Sequence, residues 1–228
     1  MTERSRRRKQ RSRLVAPWLL LRLLRGRPLS DRWGYDRGQP IDRYYIEQFL
    51  ADHRADITGR VLEVKSGEYA RQFGANVSEL DVLDIDAHNP DATIVADLAA
   101  AEAVASDSFD CFVLTQTLQY VYDLGSAVRH ARRILRPGGV LLATVPCVSR
   151  IPTEAPELRD FWRFTEASCR ELVGRDFGDL DPVVRAFGNV LSCCAFLAGL
   201  AAEDLTRGRL DQHDERFPLV VGIRAVKA

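Results

Sequence analysis

The chain has 228 residues, 46% hydrophobic and 28% charged, enough for a full core in one domain or one domain plus an arm. Its formal charge is zero but unevenly spread: residues 1–27 hold ten Arg or Lys against Glu3, leaving 22 positive and 31 negative charges on residues 28–228. An acidic body argues against a nucleic-acid-binding surface, and no apolar run approaches the roughly 18–20 residues of a membrane span.

The first segment, "MTERSRRRKQRSRLVAPWLLLRLLRGRP", does not read as a signal peptide. Its apolar stretch is short, is broken by Pro17 and Arg22, and lacks a small-residue cleavage site. Two readings stand. One is a basic tail leading into a helix that packs Trp18, Leu19 and Leu21 on the body. The other is a basic amphipathic element resting peripherally on an anionic membrane or another anionic surface. A Gly/Pro/Asp-rich connector, "DRWGYDRGQP", follows, so residues 1–40 read as arm and connector and residues 41–228 as the domain.

Ile41, Tyr44, Tyr45, Phe49 and Leu50 recur at helical spacing and predict a helix over about 41–53. Thr58-Gly59 then punctuates the chain. "RVLEV" (60–64), "LDVLDI" (80–85), "TIVAD" (93–97) and "FDCFVLT" (109–115) read as four strands, with a small Ala-rich helix over 98–105. A helix over about 123–135 ends at "RPGG", a stop and turn before strand five, "VLLATVP" (140–146). Strands separated by helices predict a parallel sheet with right-handed crossovers. Residues 147–164 read as an inserted loop, with three prolines in residues 146–156 and an aromatic end. Thr165 caps a helix through about Val173, "VVRAF" is strand six, "NVLSCCAFLAGLAAEDL" a long apolar helix and "PLVVGIRAV" the last strand. Five cysteines at 111, 147, 169, 193 and 194 show no C-x-x-C spacing and read as small core residues in a reducing cytoplasm.

In such sheets, ligands bind outside the carboxyl ends of the strands. Past strand one lie Glu63 to Gly67, at strand two Asp84 and Asp86, past strand three Asp97, and past strand four "TQTLQYVYD". An acid about 20 positions beyond a glycine turn suits a ribose diol, because its two oxygens accept from both hydroxyls. Asp86 stands 19 beyond Gly67.

With "VLEVKSG", "VLDID", "IVADL", "FDCFVL" and above all "ARRILRPGGVLLATVP", residues 60–146 resemble class I S-adenosylmethionine-dependent methyltransferases. The flanks "WGYDRGQPIDRYYIEQFL" and "DFWRFTEASCREL" further resemble methyltransferases from polysaccharide and glycoside gene clusters. The resemblance implies an α/β, Rossmann-like sheet of seven strands in the order 3-2-1-4-5-7-6, strand seven antiparallel, with helices on both faces. It implies S-adenosylmethionine held by Glu63, Val64, Lys65, Ser66, Gly67, Asp86, Ala87, Asp97, Leu98, Thr115 and Gln116. It also implies an acceptor, a sugar or glycoside hydroxyl, against Gln119, Tyr120, Trp162 and Arg163. Lys65 and Tyr69 stand where the family keeps its first and third glycines. Lys65 or Ser66 then meets the cofactor carboxylate, and Tyr69 forms an apolar wall. Many relatives keep a histidine after strand four where this chain has Gln119 and Tyr120, so Asp160 and His88 are the candidate bases. A divalent cation such as Mg on Glu154, Glu157 or Asp160 is an alternative way to activate the hydroxyl, although no spacing specifies a metal site. The other readings are an inactive partner that kept the fold, an acceptor that is a non-sugar small molecule or lipid, and a nicotinamide-dependent oxidoreductase, which the missing G-x-G-x-x-G turn disfavours.

Overall fold

In the computed structural model, residues 21–153, 159–178 and 180–228 are described. They divide into two compact units: Tyr45–Phe187 with Pro218–Ala228, and residues 21–44 with Gly188–Phe217. Helix α1, Ile41–Asp52, begins in the smaller unit and ends in the larger.

The larger unit is built on one sheet of seven strands: β1 (Thr58–Val64), β2 (Asn76–Asp84), β3 (Ile94–Val95), β4 (Phe109–Thr115), β5 (Leu135–Pro146), β6 (Val183–Phe187) and β7 (Val220–Val226). Their order is β3-β2-β1-β4-β5-β7-β6, with β7 antiparallel to both neighbours and the other pairings parallel, the expected topology. β4 and β5 are apolar almost throughout because helices cover parallel strands on both faces. Helix α2 (Glu68–Phe73) follows β1. Helix α3 (Leu124–Ile134) is capped by the Asp123 carboxylate and turns Ala127, Val128, Ala131 and Ile134 into the core. Helix α4 runs Glu166–Phe177, a turn longer than expected, behind a reciprocal Thr165–Ser168 capping box.

Three local expectations need correction. The residues 98–105 form a single 3-10 turn, Leu98–Ala100, rather than a small helix. "RPGG" lies inside β5 as a bulge: Phe109 pairs with Leu135 and Cys111 with Val140, so five steps on one strand face two on the other. Finally, the long apolar helix stops early. Helix α5 spans only Val190–Leu197, and Gly199 turns the chain at φ +76°.

That stop organises the smaller unit. The amide of Leu29 donates to the Ala198 carbonyl at 2.7 Å, and a Cβ on Gly199 would meet the Ser30 carbonyl oxygen at 2.2 Å. Arg37 forks onto Asp204 through two 3.0 Å bonds, and Asn189 caps α5 while donating to the carbonyls of Arg209 and Gln212. The helix α6, Arg207–Leu210, closes this unit. The connector is therefore a packed strap rather than a linker. Successive helical residues point about 100° apart, which puts Cys193 inward and leaves Cys194 exposed, against the expectation that both are core. The reading of Trp18 and Leu19, and of the basic arm as a surface anchor, falls outside the described residues. No helix among the described residues is long and apolar enough to cross a membrane.

Candidate active site

The strand order reverses between β1 and β4, which lie side by side at the centre of the sheet. A crevice is expected outside their carboxyl ends. The residue just past each of these strands is held in the left-handed region: Lys65 at φ +72° and Gln116 at φ +47°. Non-glycine residues rarely occupy this region, and such strain concentrates at functional sites.

At the end of β1, Glu63 is 2% exposed. Its carboxylate accepts from the amides of Tyr69 at 3.1 Å and Ala70 at 2.7 Å, which ties strand to helix α2. Burial pushes its carboxyl up to about 7, opposed by those two amides and by Arg71. The Ser66 amide donates to the Val64 carbonyl at 2.9 Å across Lys65, a three-residue γ-turn of the strained, positive-φ kind. The Lys65 side chain is exposed, and the Tyr69 ring runs along α2 to Phe73, with centroids 6.1 Å apart. Gly67 keeps an ordinary φ of −93°, but a Cβ there would meet Leu80 Cδ2 at 2.6 Å. Its lack of a side chain serves the packing of α2 on β2.

Past β2, Asp84 accepts from the Asp86 amide at 3.0 Å and from Asn89 Nδ2 at 2.6 Å. The same Asn89 nitrogen donates to the Lys65 carbonyl at 2.8 Å and so laces the loops after β1 and β2 together. Asp86, Ala87 and His88 are exposed, and Asp86 Oδ1 caps the His88 amide at 2.8 Å. Between the two acids Ile85 is 62% exposed, an apolar side chain beside the exposed Asp86. Sequence reasoning passed over Ile85 and Asn89. Past β3, Asp97 accepts from the Ala99 amide at 2.9 Å and starts the turn that buries Leu98.

Past β4, Thr115 accepts from the Thr117 hydroxyl at 3.0 Å, and the Gln116 amide donates to the Thr144 carbonyl on β5 at 2.8 Å. A 3-10 turn over Leu118–Tyr120 then buries Gln119, 4% exposed, while Tyr120 is half-buried. Gln119 Nε2 donates to the Gln116 carbonyl at 2.9 Å. The segment 159–164 is pinned to this turn: the Phe161 amide donates to the Gln119 carbonyl at 2.8 Å and the Trp162 indole to the Val121 carbonyl at 3.0 Å. Tyr122 stacks on Trp162 at 6.1 Å and meets Phe161 edge-on at 5.2 Å, and all three rings are exposed. Arg163 binds both oxygens of Asp160, whose side chain is 3% exposed.

The structure thus brings Gln119, Tyr120, Asp160, Trp162 and Arg163 around the turn after β4. His88 stands apart, beside Asp86 in the loop after β2; the sheet sets β2 and β4 two strand spacings apart, about 10 Å. Glu154 and Glu157 lie outside the described residues. No group of three or more His, Cys, Asp or Glu close enough to hold a metal ion occurs among the described residues. A cleft of about 470 Å³, lined by Arg129, Arg133, Lys227 and Asp107 among others, opens at the opposite end of the sheet, where β4 and β5 begin.

Residues 50–143 match the family model of the methyltransferase domain. A malonyl-[acyl-carrier protein] O-methyltransferase of Salmonella typhimurium is 29% identical over 204 residues, covering 75% of this chain and 80% of that protein. The solved 1,6-didemethyltoxoflavin-N1-methyltransferase of Burkholderia thailandensis, with S-adenosylhomocysteine bound, superposes with a TM-score of 0.52 at 15% identity, over 84% of this chain and 80% of that one. The [4+2]-cyclase SpnF superposes with a TM-score of 0.53 at 17% identity, over 96% and 94%. At these identities the solved structures speak for the fold alone, and the cyclase carries it with a different reaction.

Proposed function

We propose that this chain, an S-adenosylmethionine-dependent methyltransferase of the class I fold, transfers the cofactor's methyl group to a hydroxyl of a sugar ring in a glycan or glycoside, leaving S-adenosylhomocysteine. The observation that carries the acceptor class is the exposed face of Tyr122, Phe161 and Trp162, hydrogen-bonded onto the turn after β4. Large exposed aromatic surface is costly unless something covers it, and a sugar ring offers a flat C–H face to the rings with hydroxyls around its edge.

The donor side fits a nucleoside with an amino-acid tail. The exposed Asp86 carboxylate suits the ribose diol, Ile85 gives the base an apolar wall, and Asp97-Leu98 meets its far edge. Exposed Lys65, with Ser66, offers a charge-assisted bond to the tail carboxylate. Val64, Gly67, Ala87, Thr115 and Gln116 line the approach, and Glu63 fixes the loop through the Tyr69 and Ala70 amides. When bound, the sulfonium supplies an electrophilic methyl. The chain's task is to align the acceptor oxygen with it, which is worth several kcal/mol. Of the two candidate bases, Asp160 lies by the turn after β4 and His88 in the loop after β2, so Asp160 is the proposed proton acceptor, one of its oxygens leaving Arg163 to meet the hydroxyl.

A second reading has one observation behind it: the Salmonella relative is named for methylating a malonyl group on a carrier protein, which points to a carboxylate acceptor. Radiolabelled methyl transfer to parallel panels of glycosides and free or carrier-linked carboxylic acids separates the two. Label on glycosides that is alkali-stable, as an ether, is the expected result. Alkali-labile label confined to carboxylic acids would transfer the assignment to the second reading.

A further inference from the structure

Three side-chain atoms around the turn after β4 are buried and without a hydrogen-bond partner: Gln116 Nε2, Gln119 Oε1 and Thr144 Oγ1. They belong to one locality, because Thr115 pairs with Thr144 across β4 and β5, the Gln116 amide donates to the Thr144 carbonyl, and Gln119 Nε2 donates to the Gln116 carbonyl. Buried polar atoms are nearly always paired, and one left unpaired is costly, so three at one turn call for an explanation. Reversing the Gln119 amide would not remove the problem. It would set its oxygen against the Gln116 carbonyl, two acceptors face to face, so the Gln116 carbonyl fixes Oε1 as the unpartnered atom. Gln119 is 4% exposed, and its own carbonyl receives the Phe161 amide, which places it at the foot of the aromatic face.

We infer that Gln119 selects the acceptor: its Oε1, closed off from solvent in this structure, is uncovered as the turn gives way to the acceptor and accepts a hydrogen bond from a hydroxyl neighbouring the one that is methylated, while the same ring lies against Tyr122 and Trp162. The substrate class is then a neutral ring bearing adjacent hydroxyls. A carboxylate brings no donor to Oε1 and is repelled by it. This inference rests on the sugar-hydroxyl reading and sharpens it by naming the residue that enforces it. Gln119 makes no bond to the reacting atoms and is a specificity residue, distinct from the proton acceptor.

The test is a cycle between protein and substrate on the full chain. Wild type, Gln119→Met and Gln119→Glu are each assayed with a glycoside acceptor that wild type methylates and with its analogue lacking the neighbouring hydroxyl. S-adenosylhomocysteine affinity serves as the control that each variant is folded. Wild type is expected to prefer the full acceptor about tenfold to hundredfold in kcat/KM, and Gln119→Met to lose that preference with cofactor affinity within twofold. Gln119→Glu, assayed at a pH low enough to protonate it, keeps both the acceptor oxygen and a donor to the Gln116 carbonyl and should retain most of the preference. An equal preference in wild type and Gln119→Met would overturn the role of Gln119 while leaving the glycoside reading intact. Turnover of carboxylic acids alone, or of no glycoside at all, would overturn the glycoside reading and this inference with it.

Discussion

Lys65 holds a conformation that L-residues avoid, at a cost of about 1–2 kcal/mol. Glycine would remove that cost and return some of the gain as unfolded-chain entropy, so Lys65→Gly should raise stability by about 0.5–1 kcal/mol in urea unfolding. The same variant should bind S-adenosylhomocysteine several-fold more weakly if the ammonium pairs with the tail carboxylate. A gain in stability with unchanged affinity would strip Lys65 of its binding role. Glu63 makes a pH prediction. Burial raises its carboxyl from 4.5 to about 7, so the folded chain keeps a proton that the unfolded chain releases in that interval. Its contribution is therefore full below pH 4.5 and is lost as pH rises through 7. Relative to Glu63→Gln, wild-type stability should fall by about 3 kcal/mol between pH 4.5 and 8. Parallel pH profiles for the two proteins would contradict the assignment.

At the scale of elements, two glycines are required for different reasons. Gly67 clears a flexible Leu80 methyl, so Gly67→Ala should cost about 1–2 kcal/mol as that side chain shifts. Gly199 faces the Ser30 backbone at φ +76°, so neither conformation nor space can relax, and Gly199→Ala should cost about 2–4 kcal/mol. Denaturant midpoints ranking the two the other way would refute this account of the turns. These cases also show what the sequence could and could not reveal. Buried parallel strands such as β4 read as continuous apolar runs and were legible to the residue. The first half of β2, Asn76–Glu79, was not, because its residues face solvent and carry no apolar run. "NVLSCCAFLAGLAAEDL" looked like one helix because its stop depends on a contact with Ser30, some 170 positions earlier.

For the whole molecule, sheet order and the acids at the strand ends follow from the alternation of elements and from a family resemblance that the chain carries in "ARRILRPGGVLLATVP". The positions of Glu63, Asp86 and Gln116 at or just past strand ends were legible because strand ends can be placed from pattern alone. Exposure of Ile85, the Asn89 bridge between loops and the unpartnered Gln119 oxygen were not legible, since each is a relation between segments the pattern does not connect. These features support one proposal, that the loops after β1, β2 and β4 seat a methionine-linked nucleoside despite a lysine and a tyrosine where glycines are usual. Calorimetric titration of S-adenosylhomocysteine into the full chain tests it directly. The account predicts saturable binding at one site, weakened by about 1–3 kcal/mol in a folded Asp86→Ala variant; no binding to the wild-type chain, or equal binding to both, would contradict it.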